Sequence, residues 1–244
     1  MIQVANLTKT FGSVEALKGV TFMAEDGQVT GLLGPNGAGK TTTLRVLYGI
    51  LKPNSGAALI DGHDVLASPI QAQQRMGALP DNHGLYPRLT ARENIRYFGE
   101  LQGLGGKVLN ERINRLCEML EMNEIIDRRT EGFSTGERMK VSIARALVHD
   151  PQNVLLDEPT AGLDVMSTRA MRTFIQGLRE QGKCVLFSSH IMQEVSMLCD
   201  RIVVIAHGEV VASGSAEELM QATRQASLED AFVAAIGSVE GLQQ

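Results

Sequence analysis

The sequence predicts an α/β fold built on a mostly parallel sheet, and three observations carry that prediction. Strand-like apolar runs alternate with helical patterns from residue 151 onward, which requires a parallel sheet covered on both faces. The run Val29 to Leu33 ends in a glycine-rich turn and passes straight into a helical pattern, forming a strand–turn–helix unit. Between these stretches, residues 85 to 149 change texture and read as a mostly helical insertion.

Ile2 to Leu7 and Val20 to Met23 alternate in the manner of strands, as β pairing on a half-buried face demands. Lys40 to Leu51 is a helical pattern carried by Leu44, Leu47 and Leu51, with Pro53 blocking its continuation. Ala58 to Gly62 reads as strand and turn. In the insertion, Thr90 and Glu93 have capping-box spacing, and Leu109, Ile113, Leu116 and Leu120 form one apolar stripe. A further helix runs from about Gly136 to His149, ahead of Pro151. Then come a strand at Val154 to Leu156, a helix from Ser167 to Gln181 stopped by Gly182, and a strand at Cys184 to Ser188. A helix at Met192 to Leu198 and a strand at Ile202 to Ile205 follow. Ser213 to Gln225 is polar enough for a surface helix or loop, and Leu228 to Ile236 forms an amphipathic helix.

Composition narrows the function classes. Hydrophobic residues at 43% supply a core, and the net charge of −5 gives no electrostatic footprint for nucleic acid or an anionic membrane surface. Cys117, Cys184 and Cys199 form no C-x-x-C pair, so they are expected to be reduced packing residues. Met1 to Asn6 shows no basic start followed by an apolar run, so no secretory leader is expected. Apolar runs such as Arg201 to Ala206 fall well short of the roughly 20 residues that span a bilayer.

The chemistry concentrates in a few segments. Gly34, Pro35, Asn36, Gly37, Ala38, Gly39, Lys40 and Thr41, with Thr42 behind them, fit the G-x-x-x-x-G-K-[ST] phosphate loop between a strand and a helix. Glycines let backbone N–H groups close on phosphate oxygens, and the helix points its positive end at them. Lys40 can reach the β- and γ-phosphates, and Thr41 can offer its hydroxyl to Mg²⁺. The apolar run Asn153 to Leu156 then meets two acids. Asp157, at the carboxyl end of a parallel strand, suits the magnesium shell, and Glu158, facing the other way, can accept a proton from an attacking water. These segments predict a P-loop NTPase. The guanine-reading N-K-x-D pattern is absent, so ATP is the expected nucleotide.

Phe133, Ser134, Thr135, Gly136 and Glu137, at the start of a helix leading to the Asp157 strand, resemble the L-S-G-G-Q signature loop of ATP-binding cassette (ABC) ATPases. The resemblance covers essentially the whole chain. It implies one ABC ATPase domain over residues 1–244, with a parallel core sheet, an antiparallel β subdomain and an inserted α-helical subdomain. Its core lobe would take about 1–84 and 151–225, its helical lobe about 85–150, and its C-terminal helix about 226–244. It also implies that Phe11 stacks on adenine, where the family usually has tyrosine. Ser134 and Gly136 would meet the γ-phosphate of an ATP carried by a second copy. Asp164 would lie in the loop crossing between copies, and His190 would be the switch histidine touching the γ-phosphate. Two positions depart from the family pattern. Asp81 stands where glutamine is usual; an aspartate can still ligate Mg²⁺ through oxygen but brings negative charge near the phosphates. Thr135 and Glu137 alter the signature loop, while Ser134 and Gly136 are kept.

The resemblance therefore predicts an ATP hydrolase that dimerises around two ATP molecules, with itself or a paralogous cassette, and powers a separate transmembrane permease. It would sit in the cytoplasm, peripheral to the membrane through that permease, with no nucleic-acid partner. Gly84 to Pro87 and Phe133 to Gly136 look most like export-type subunits, including the sodium-export type. The rival expectation is a soluble cassette ATPase acting on a protein or nucleic-acid assembly. Repair-type members carry long coiled-coil insertions and translation-type members carry two cassettes, and this sequence shows neither.

Overall fold

The computed structural model describes residues 1–80 and 84–240. Asp81, the position that departs from the glutamine pattern, lies outside the described residues. A four-stranded sheet comes first in the chain: β1 (Ile2–Phe11), β2 (Val14–Ala24), β4 (Ser55–Ile60) and β5 (His63–Asp64), in the order β2-β1-β4-β5, with every pair antiparallel. A six-stranded sheet holds β3 (Val29–Leu33), β6 (Met76–Leu79), β7 (Asn153–Asp157), β8 (Cys184–Ser189), β9 (Arg201–Ala206) and β10 (Glu209–Gly214), in the order β10-β9-β3-β8-β7-β6. Its pairs are parallel except β9 with β10. The fold is the P-loop cassette type that the sequence predicts.

Alternation along the central strands sorts the core into two layers. Val29, Leu33, Val154, Leu156, Val185, Phe187, Ile202 and Val204 point into one apolar cluster, shared with α3 (Ala91–Leu101), α4 (Gly106–Met119), α5 (Thr135–Leu147) and α6 (Val165–Glu180). Leu32, Leu155, Leu186, Val203 and Ile205 point the other way, into a cluster shared with α1 (Lys40–Leu47) and the antiparallel sheet. A strand apolar on both faces therefore serves two cores, which is why these runs lack polar alternation. Thr90 closes the capping box with Glu93 as its spacing predicts.

Two local expectations need correction. The first helix stops at Leu47 rather than Leu51, because Gly49 turns the chain at φ 74° before Pro53 can act. The segment from Ser213 to Gln225 is split: Ser213 and Gly214 end β10, and α8 (Ala216–Thr223) follows behind a Ser215–Glu218 capping box. β10 forms because His207 and Gly208, at φ 50° and 82°, make the tight turn of a hairpin. The helix α2 (Pro69–Gln74) and the edge strand β6 were not anticipated. Among the described residues, no helix is long and apolar enough to cross a membrane.

Candidate functional site

The carboxyl ends of β3, β7 and β8 converge where β3 runs into α1, the place where ligands bind in open α/β sheets. A cavity of about 300 Å³ opens there, lined by the phosphate-loop residues Asn36, Gly37, Gly39, Lys40, Thr41 and Thr42, with Glu158, Ala161 and His190 facing them.

Packing as well as space for phosphate fixes two of the loop's glycines, Gly34 and Gly39. A Cβ on Gly34 would sit 2.2 Å from the Ile205 carbonyl oxygen. Gly39 has φ 110°, and a Cβ on it would press against Leu17 and the Ala16 carbonyl. Ala38 is buried, and its carbonyl accepts from Gly208 N. These contacts seat the loop between β2 and the β9–β10 turn. Lys40 is 5% exposed. Its Nζ donates to the carbonyls of Gly34 (2.7 Å) and Pro35 (3.2 Å) and lies 3.6 Å from Glu158 Oε1.

Thr41 Oγ1 donates to Asp157 Oδ1 at 3.3 Å, so the two oxygens named for magnesium are neighbours. Ser188, missed in the sequence reading, donates to the same Oδ1 at 2.6 Å and accepts from Glu158 N at 3.0 Å. Parallel register places Ser188 opposite Asp157, a relation between strands that no linear spacing encodes. Glu158 owes its direction to the backbone rather than to strand alternation. β7 ends at Asp157, and Glu158 takes φ 48°, a left-handed conformation rare for a side chain of its size. Its Oε2 lies 2.9 Å from His190 Nδ1, and a half-exposed His190 thus meets the carboxylate directly.

The remaining predicted residues lie elsewhere. Phe11 is 48% exposed at the β1–β2 turn, with Lys9 Nζ 5.2 Å from its ring centre. It is not a core side chain, and it does not line the cavity. Ser134 is the N-cap of α5: its Oγ accepts from Glu137 N, and Glu137 Oε2 accepts from Ser134 N at 2.8 Å. The Ser134 N–H, with Arg128 beside it at 3.1 Å, holds the Glu137 carboxyl below the usual range. Asp164 caps α6 by accepting from Ser167 N and Ser167 Oγ, and the backbone bond holds its carboxyl low as well. A Cβ on Gly136 would lie 3.2 Å from Ser167 Oγ, so the starts of α5 and α6 pack side by side. Ser134, Gly136 and Asp164 thus form a second cluster that contributes nothing to the cavity of their own chain.

Residues 17–161 match the family model described as ABC transporter. The chain is 46% identical over 221 residues to the ABC transporter ATP-binding protein NatA of Bacillus subtilis (strain 168), covering 90% of each chain. It is 36% identical over 220 residues to the Nod factor export ATP-binding protein I of Burkholderia lata, covering 90% of this chain and 72% of that one. Among solved structures it resembles the dimeric post-hydrolysis state of the ATP-binding cassette MJ0796 bound to ADP and Pi. The TM-score there is 0.80 at 26% identity, over 88% of this chain and 98% of that one.

Proposed function

The chain belongs to the ABC transporter family, and from that premise we propose how its residues divide the work of an ATP-hydrolysing subunit that dimerises and drives a separate permease. The observation that carries the reading is the Lys40–Glu158–His190 chain of contacts across one cavity, with Thr41 and Asp157 beside it.

The phosphate loop from Gly34 to Thr42 receives the triphosphate, and Lys40, already facing the cavity, is the cation for its β- and γ-oxygens. Phe11, on a hairpin seated against Gly39 through Ala16 and Leu17, offers its exposed ring to the adenine. A hydroxyl and a carboxylate oxygen 3.3 Å apart are hard ligands of the kind Mg²⁺ takes, so Thr41 and Asp157 would hold that ion, with Ser188 fixing Asp157. Bound there, the ion would neutralise phosphate charge. Glu158 accepts the proton of the attacking water through one carboxylate oxygen while His190 holds the other. Ser134, Gly136 and Asp164 face outward to complete the site of a second copy. ATP then favours the closed dimer and hydrolysis removes that preference. Asp81 is assigned to relaying nucleotide state toward the permease.

Residues 85–150 act as the helical lobe and receive the permease near residues 80–100. Tyr86 and Tyr97 are more than 40% exposed there and stack edge to face at 5.5 Å, an amphipathic pair suited to an interface. Export is the direction that the Nod factor relative supports, with the chain on the cytoplasmic face of the membrane. The test is purification of the tagged chain from native membranes in mild detergent. A polytopic membrane protein recovered at comparable stoichiometry is the expected result. Recovery of soluble partners alone, with ATPase activity intact, overturns the transporter role and leaves the ATPase assignment standing.

A further inference from the structure

Behind the catalytic loops sits a carboxylate that the mechanism above leaves without a task. Glu194, in the first turn of α7 (Met192–Leu198), is 3% exposed. Burying a carboxylate is costly unless its oxygens are well bonded. Its partners are hydroxyl groups: Thr160 Oγ1 donates to Glu194 Oε2 at 2.5 Å, and Ser189 Oγ donates to the same oxygen at 3.4 Å. Both partners are themselves buried, and both stand next to the reaction. Thr160 lies two residues beyond Glu158 and adjoins Ala161, which lines the cavity and whose N–H donates to the Glu158 carbonyl. Ser189 ends β8 and immediately precedes His190, and its Oγ also accepts from Ile191 N at 3.0 Å, so it spans the histidine.

We propose that Glu194 is a positioning residue, a buried clasp that ties the loop after Glu158 to the loop carrying His190. The inference rests on the roles given above to Glu158 and His190. The Glu158–His190 contact joins two different chain segments, and Glu158 is held in an unfavourable left-handed conformation. The β7–β8 ladder and the Ser188 bond to Glu158 N align the strands, and beyond their ends the single oxygen that both hydroxyls share ties the two loops together. Thr160 also lies four residues before Asp164, the cap of α6, so the clasp links His190 to the segment that faces a second copy.

The test is steady-state ATPase kinetics on the full chain. Glu194→Ala should lower kcat about tenfold or more, as small misplacements of catalytic groups do, while KM for ATP stays within about twofold. Glu194→Gln keeps an oxygen that accepts both hydroxyls and should recover most of that loss. Thr160→Val should fall in the same direction, and Thr160→Val added to Glu194→Ala should cost nothing further, because both remove one link. Thr160→Val carries the test should Glu194→Ala fail to fold. Wild-type kcat in Glu194→Ala or Thr160→Val overturns the proposal, and so does a parallel loss of kcat, ATP affinity and melting temperature, which marks a purely structural acid. Glu158→Gln is the control. If it hydrolyses ATP at the wild-type rate, the site reading beneath the clasp fails first.

Discussion

The protein contains two helix N-termini assigned to the same ligand chemistry, and they are prepared in opposite ways. α1 begins at Gly39, where no side chain among the described residues caps the helix and no acid stands in the first turn. Its amides are left for an anion, and Lys40 and Thr41 add a cation and a hydroxyl. α5 begins with a complete capping box, in which Ser134 and Glu137 satisfy each other's backbone donors, with an acid in the first turn and Arg128 beside it. One end opens on the phosphate-loop cavity, whereas the other borders, through Gly136, a separate and more apolar groove with Met139, Leu163 and Ser167. The difference teaches that a helix dipole alone does not make a phosphate site. On the proposed reading, the uncapped end receives phosphate within its own chain and the capped end adds its contacts to a site assembled with a second copy.

The largest expected effect breaks the uncapped end. Lys40→Ala should abolish measurable hydrolysis, a loss of about a hundredfold or more, and weaken ATP binding as read by equilibrium titration of the single chain. Ser134→Ala should act differently. ATP binding to the isolated chain should hold, while turnover falls roughly tenfold and ATP-induced dimers disappear from sedimentation profiles. The lost cap should also lower stability by about 1 kcal/mol in chemical denaturation. Mixing the two variants sharpens the contrast. A mixed dimer has one site with an intact Lys40 facing an intact Ser134, so activity should reappear on mixing. Silence in the mixture would mean that both ends serve the same chain.

The same contrast explains how much could be read without a structure. The uncapped end was legible because its chemistry is local: strand, glycines, lysine and threonine follow one another in sequence. The Ser134–Glu137 capping pair is local in the same way. Relations across strands were not legible. Ser188 supports Asp157 only through the parallel register of β7 and β8, and Glu194 looks like an ordinary helix acid until burial reveals its hydroxyl partners. The direction of Glu158 comes from a left-handed residue and not from strand alternation, so no linear pattern encodes it. Phe11 shows the reverse, since its exposure at a hairpin tip removes core packing as the reason for an aromatic there. β10 escaped because its signal, His207 and Gly208, is a turn with an uncommon first residue.

A smaller effect concerns the acid that the family pattern lacks. Glu137 places negative charge at the end of α5 that is assigned to a phosphate, and Arg128 offsets it only in part at an exposed position. Glu137→Gln keeps an oxygen for the Ser134 N–H and removes the charge. ATP-driven dimerisation should tighten by about two- to fivefold, the scale of one charge at a helix end. Unchanged or weaker dimerisation would mean that this end never meets phosphate.

The smallest effect is a slope with pH, and its sign follows from the cap. The Ser134 N–H bond, with Arg128 nearby, lowers the Glu137 pKa in the folded chain relative to the unfolded one. Its stabilising contribution is therefore fully present above the ordinary glutamate value of about 4.3 and is lost as pH falls through the lower folded value. Asp164, held low by the Ser167 N–H, adds a contribution of the same sign. α1 has no acid in its first turn and adds none. Melting temperature should accordingly drop on acidification below about pH 4.3, and Glu137→Gln should flatten that limb while leaving the region above pH 6 unchanged. An acid limb of equal steepness in the variant would show that the α5 cap is already broken in solution. The end of α5 would then be as open as that of α1, and the distinction drawn between the two helices would collapse.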